Sequence, residues 1–103
     1  MQYGLNPIPG YLGEKTNQFY IISPSNEHIL LEKLFTFSYS STNKKYIVYT
    51  SNEYYEDGEL KIYASIYKQN GHELILYPIL SEDEWAMVQY YLDEYNEMLK
   101  DVN

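Results

Sequence analysis

The sequence predicts an α+β fold: an antiparallel sheet of four to five strands, with one C-terminal amphipathic helix packed on one face. Three observations carry this. Residues 34–50 hold two runs of aromatic and β-branched residues around a polar turn. Residues 60–79 hold two more runs around Asn70-Gly71, a pair suited to a tight hairpin turn. From Ser81 onward the apolar residues recur with a helical period. A chain of 103 residues has room for one domain with one modest core.

Residues 1–27 are rich in Pro, Gly, Asn and Ser, with Pro7, Pro9, Gly10, Gly13 and Pro24 as breakers. They read as an N-terminal arm with a short strand at 19–22, ahead of a single α+β domain over 28–103. In the first hairpin, Leu34 to Tyr39 and Tyr46 to Thr50 flank Ser41-Thr42-Asn43-Lys44. A four-residue turn sets Tyr39 opposite Tyr46 and Phe37 opposite Val48. In the second, a loop at Asn70-Gly71 sets Ile66 opposite Ile75, Ala64 opposite Tyr77 and Ile62 opposite Ile79, all on one face. The other face carries Tyr63, Tyr67, Leu74 and Leu76, with Ser65 between them. It is too apolar to be left in water. Either the N-terminal arm covers it or a partner does, and a second copy using Tyr63, Tyr67, Leu74 and Leu76 would make a homodimer.

Ser81 is a good helix N-cap, and Glu84 three residues later completes a capping box. Leu80 and Trp85 hold the positions of a hydrophobic staple, and the acids at 82–84 meet the positive end of the helix dipole. These acids thus have a structural explanation. Trp85, Met87, Val88, Tyr91, Leu92, Tyr95, Met98 and Leu99 share one half of the helix. The opposite half holds Gln89, Tyr90, Asp93, Glu94, Asn96, Glu97, Lys100 and Asp101.

The charge narrows the function. Fifteen Asp and Glu stand against seven Lys, with no Arg and no Cys, for a formal charge of −8. Without Arg the chain lacks the residue best suited to forked phosphate contacts, and the negative total opposes nucleic acid, so direct nucleic-acid binding is not expected. Without Cys, folding does not depend on an oxidising compartment. Met1 to Gly10 carry neither a cation nor an apolar run, which argues against a signal peptide. No run of 18 apolar residues exists to span a membrane. The expected location is the cytoplasm. Residues 1–52 carry four Lys and three Glu, while residues 53–103 carry three Lys and twelve acids. Any charge-based function therefore sits in the second half.

Catalytic signatures are weak. His28 and His72 are the only bases that titrate near neutrality, and no nucleophile-elbow motif accompanies them. Two separated His without Cys make no zinc pattern. The loop from Glu53 to Glu59 contains Glu53, Glu56, Asp57 and Glu59, yet lacks the ordered ligand spacing of a calcium loop. No Gly-rich phosphate loop opens a helix. The expectation is a non-catalytic protein with no metal and no cofactor.

The outer helix stripe has no such local explanation. Asp93, Glu97 and Asp101 follow at four-residue steps, each costing about 0.2–0.5 kcal/mol through like-charge repulsion. Glu97 and Asp101 also approach the negative end of the helix dipole. Tyr90 is the one aromatic residue on this half. The bland reading is a solvated face. The functional one is that Tyr90, Asp93, Glu94, Glu97 and Asp101, with Glu53, Glu56, Asp57 and Glu59, meet a basic protein surface.

Residues 30–99 resemble the YrzB-type family of small acidic bacterial proteins. The resemblance rests on Leu34-Phe35-Thr36-Phe37, Lys45-Tyr46-Ile47-Val48, and Leu60-Lys61-Ile62-Tyr63 with Ala64. Its strongest part is Leu76-Tyr77-Pro78-Ile79 followed by Ser81-Glu82-Asp83-Glu84-Trp85 and Val88. It implies a bacterial cytoplasmic protein and assigns no catalytic or binding residues. This chain departs from the family in a longer N-terminal arm, a less acidic loop at 51–59 and more Tyr. The leading expectation is a protein-interaction or regulatory module. The alternative is a nucleic-acid mimic that occupies the groove of a DNA- or RNA-binding enzyme, as small phage inhibitors do.

Overall fold

The computed structural model describes residues 7–100. Six strands are followed by one helix: β1 (Ile8–Leu12), β2 (Gln18–Ile22), β3 (His28–Tyr39), β4 (Lys44–Tyr54), β5 (Leu60–Asn70), β6 (Glu73–Tyr77) and α1 (Glu82–Lys100). Each strand pairs antiparallel with the next, and β1 returns to pair with β6, closing a barrel. The expected open sheet of four to five strands is therefore wrong, although one helix packed on a β-sheet is correct.

The strand with no counterpart in the expectation, β1, comes from the stretch that reads as a broken arm. β1 contains Pro9 and Gly10, and Gly10 pairs with Ile21 on one side and Leu74 on the other. A Cβ at Gly10 would lie 2.3 Å from the Tyr20 carbonyl oxygen. The residue that signals a break is here the one that lets two backbones come close enough to close the barrel. Closure removes the exposed edges that an open sheet would present.

Strand alternation sends Phe19, Leu31, Ile47, Leu74 and Leu76 into the barrel, with Leu12, Ile21, Tyr49 and Tyr67 packed around them. The face of Tyr63, Tyr67, Leu74 and Leu76 thus belongs to the interior. Leu74 and Leu76, weighed above for a homodimer, are buried against side chains that include Leu12 of β1 and Phe19 of β2. Tyr63 stacks on Tyr49 with ring centroids 5.8 Å apart.

Both hairpins pair two residues away from the expected register. Phe37 faces Tyr46 and Tyr39 faces Lys44, around a turn in which Asn43 takes a positive φ of 57°. Ile66 faces Tyr77 and Asn70 faces Glu73, so the second loop is Gly71-His72. Gly71, with φ of 63°, fills the first loop position, where a type II′ turn needs positive φ. Asn70 is then free to end the strand. Because the offset is two residues, no side chain changes face.

The outer face of β3, β4 and β5 carries the helix. Tyr46, Ile79 and Val88 are buried there, with Phe37, Ala64, Ile66 and Met87 against them. Tyr91 stacks on Phe37 at 4.2 Å and Tyr95 on Phe35 at 4.7 Å. The apolar half of the helix is wider than the surface it covers, so Trp85, Met98 and Leu99 remain exposed.

Candidate functional site

The acidic residues are positioned by one loop and one helix face. After Thr50 the β4–β5 pairing is interrupted and resumes at Tyr54, with Asn52 at a φ of 65°. The loop beyond is closed by bonds from Tyr55 N to the Glu59 carbonyl (2.8 Å) and from Gly58 N to the Tyr55 carbonyl (2.9 Å). Gly58 takes a φ of 90°, and Asp57 Oδ1 accepts from Glu59 N at 3.0 Å. Asp57 therefore shapes the turn. Glu53 accepts from the Ser51 hydroxyl at 3.0 Å. Glu53, Glu56, Asp57 and Glu59 all remain exposed.

Tyr54 and Tyr55 are 63% and 55% exposed beside these acids. They line an open groove with Glu56, Asp57 and Lys61. The Lys61 ammonium sits over the Tyr55 ring, 5.4 Å from its centroid.

On α1, Asp93, Glu94 and Glu97 are exposed, and Tyr90 is 61% exposed. Gln89 Nε2 donates to Asp93 Oδ1 at 3.0 Å. Asp101 lies outside the described residues. From Tyr91 to Tyr95 the helix advances along β3 from Phe37 to Phe35. In the same direction the paired β4 runs from Tyr46 to Val48 and on toward Tyr54. The helix C-terminal turns and the β4–β5 loop thus point to the same end of the barrel.

One cluster that sequence reasoning missed lies at the helix start. Glu84 forms one arm of the expected capping box: its N–H donates to Ser81 Oγ at 3.1 Å, while its Oε1 accepts from the Ser81 hydroxyl, at 3.0 Å, rather than from the backbone N–H that a full box uses. Its other oxygen accepts from the hydroxyl of the buried Tyr46 at 2.6 Å and lies 3.4 Å from Lys44 Nζ. Burial pushes the Glu84 carboxyl up, but the Tyr46 and Ser81 hydrogen bonds and the Lys44 charge outweigh it and hold it below 4.5. Burial, then the hydrogen bond to Glu84, raises Tyr46 above 10.0. The Ser81–Glu84 spacing signalled a cap. Nothing in the sequence signalled a second partner 38 residues away.

The two histidines have different surroundings. His28 Nδ1 and the Tyr11 hydroxyl are hydrogen-bonded at 2.7 Å, His72 lies in the β5–β6 loop, and both are exposed. Among the described residues, no group of three or more His, Asp or Glu is placed to hold a metal ion. No helix among them is long and apolar enough to cross a membrane.

Comparison with known proteins places this architecture. A family model described as "Protein of unknown function (DUF1292)" matches residues 25–99, from just before β3 through α1. β1 and β2, which close the barrel, precede the matched segment. A UPF0473 protein of Bacillus velezensis is 33% identical over 77 residues, covering 73% of this chain and 83% of the relative. The UPF0473 protein YrzB of Bacillus subtilis is likewise 33% identical over 77 residues, with the same coverage. A UPF0473 protein of Bacillus thuringiensis is 41% identical over 76 residues, covering 71% of this chain and 83% of the relative. No solved structure matches. With its family-model match running from β3 through the capped helix, the chain belongs to the bacterial DUF1292 family.

Proposed function

We propose that the protein is a non-catalytic interaction module of the bacterial cytoplasm that binds a basic protein surface with its acidic end. The observation that carries this reading is the shared direction of two acidic groups. The loop bearing Glu53, Glu56, Asp57 and Glu59 and the helix face bearing Asp93, Glu94 and Glu97 point to one end of the barrel, with Tyr54, Tyr55 and Tyr90 exposed among them. Carboxylates beside exposed rings suit Lys and Arg side chains, which gain both Coulomb attraction and cation–π contact. The contact of Lys61 with Tyr55 has the chemistry that a partner's lysine would use. The exposed histidines, with His28 bonded to the Tyr11 hydroxyl, favour a binding role over a catalytic one.

The test is affinity capture from native host lysate. It uses the wild-type chain and the Glu53→Lys/Glu56→Lys/Asp93→Lys variant, with low-salt and high-salt washes. The expected result is a basic protein retained by the wild type at low salt, lost from the variant, and not displaced by duplex DNA. Equal retention by the variant removes the proposal. Displacement by DNA instead favours a mimic of nucleic acid, whose charge array the carboxylates would imitate.

A further inference from the structure

The ring of strands closes, but its members differ in length. β5 has 11 residues and β6 has five. β5 pairs with β4 as far as Leu60, yet with β6 only from Ile66 to Asn70. The cause is local: Pro78 follows β6, has no N–H to continue the ladder, and the chain leaves there toward the helix. Residues 60–65 of β5 therefore keep one edge without a neighbouring strand among the described residues.

The alternation of hydrogen-bonded pairs fixes which groups face that edge. Around the two-residue loop Gly71-His72, the closing pair Asn70–Glu73 exchanges both backbone bonds, and so do Lys68–Ile75 and Ile66–Tyr77. By the same alternation, the N–H and C=O groups of Ala64 and Ile62 point across the gap. The Lys61 carbonyl points the other way, to β4, where it accepts from Thr50 Oγ1 at 2.7 Å. Among the described residues, no backbone group pairs with Ala64 or Ile62 on the open side. A cleft of about 320 Å³ lies against it, between Ile8 of β1 and Trp85 of α1, with Ala64, Leu76, Pro78 and Ile79 in its walls. Tyr63 belongs to the inward face and stacks on Tyr49, yet it is 40% exposed. The wall is open here.

Charge selects the occupant. Glu56, Asp57 and Glu59 precede this edge, and Glu82 and Asp83 lie in the turn before Trp85, all of them exposed. The cations of β5 are engaged with rings, Lys61 over Tyr55 and Lys68 over Tyr77. β3 also outruns β2 past Glu32, but the residues bordering that length include Lys33 and no acid. A basic segment is therefore matched to the edge of β5 and not to that of β3.

We propose that the open edge of β5 takes an added strand from a partner protein, an extended segment with alternating apolar side chains and Lys or Arg at its ends. Its backbone pairs with Ile62 and Ala64, and its apolar side chains enter the cleft beside Trp85. The basic ends rest on the function proposed above, whereas the strand pairing rests on the edge alone.

Selection of a phage-displayed random-peptide library on the full chain, followed by amide hydrogen exchange with a selected peptide, tests this. In the free protein the Ile62 and Ala64 amides should exchange fast and the Tyr63 amide slowly. Selected peptides should alternate apolar residues, carry Lys or Arg, and slow exchange at Ile62 and Ala64. Ile62→Pro removes a donor from the edge while sparing the β4 ladder, and should weaken the peptide by about tenfold. If Ile62→Pro does not fold, Trp85→Ala serves in the same assay and should weaken binding several-fold. Peptides that protect the two amides but carry no Lys or Arg overturn the basic partner and leave the added strand, so the two readings fail separately. Slow exchange at Ile62 and Ala64 without peptide means that this chain or a second copy already holds the edge, and overturns the proposal. So does the enrichment of no peptide, or an affinity that survives Ile62→Pro.

Discussion

The Tyr46–Glu84 contact makes a quantitative prediction about how the helix is fastened to the barrel. Tyr46→Phe deletes one hydroxyl, leaving the ring on Phe37 and removing the 2.6 Å bond to the Glu84 carboxylate. A hydrogen bond to a charged group contributes about 1.5–3 kcal/mol. The Glu84 side chain is only 11% exposed, so water replaces the lost donor poorly, but Ser81 still donates to it. The expected cost is therefore about 1.5–2 kcal/mol, in the lower part of that range. Lys44 is 44% exposed and 3.4 Å away, so its share is small, about 0–1 kcal/mol. Urea denaturation of wild type, Tyr46→Phe, Glu84→Gln and the double variant should give a coupling energy of about 1 kcal/mol or more.

The pH dependence follows from the two shifts. Glu84 titrates below 4.5 in the fold, so its contribution is present above that value and is lost as pH falls through the folded pKa. Tyr46 titrates above 10.0, so its contribution is present below that value and is lost as pH rises through the folded pKa. The gap between wild type and Tyr46→Phe should therefore be flat between about pH 5 and 9 and narrow at both extremes. A coupling energy near zero, or an acid limb identical in the two proteins, would refute the reasoning.

Three further outcomes probe the rest of the fold. Gly10→Ala drives a methyl group to 2.3 Å from the Tyr20 carbonyl oxygen, and urea midpoints should show a loss of about 1–3 kcal/mol or more. Phe37→Ala removes a ring stacked between Tyr91 and Tyr46, and should cost about 2–4 kcal/mol, somewhat less than a fully buried Phe. Hydrogen exchange in that variant should accelerate in α1 before it does in the barrel strands. Ser81→Ala removes the cap on Glu84 N and should cost about 1 kcal/mol in thermal or urea unfolding.

What was legible in the sequence was what short-range chemistry decides. The box from Ser81 to Glu84 and the packing of Val88 on the sheet were readable because helix caps and periodicity act within a few residues. The two faces of β5 and β6 were also readable, since alternation survives a two-residue register offset. The offset itself was not. Asn70-Gly71 offers two residues that tolerate positive φ, and the turn uses only Gly71. Strand β1 was illegible for a related reason. Pro9 and Gly10 are breakers by local propensity, and only the close approach of Tyr20 explains the glycine. For the candidate acidic site, the residue types were visible in the sequence, but that Asp57 shapes the turn and that Tyr54 and Tyr55 accompany the acids were not.

The sequence by itself determined the strand-rich middle, the capped amphipathic helix and the concentration of negative charge in the second half. Each depends on residues near one another along the chain. Tertiary structure alone decided that the sheet closes, that the Tyr67, Leu74 and Leu76 face turns inward, and that Glu84 binds Tyr46. Those outcomes depend on pairings between distant segments, β1 with β6 above all, whose stabilisation appears only once the barrel has formed.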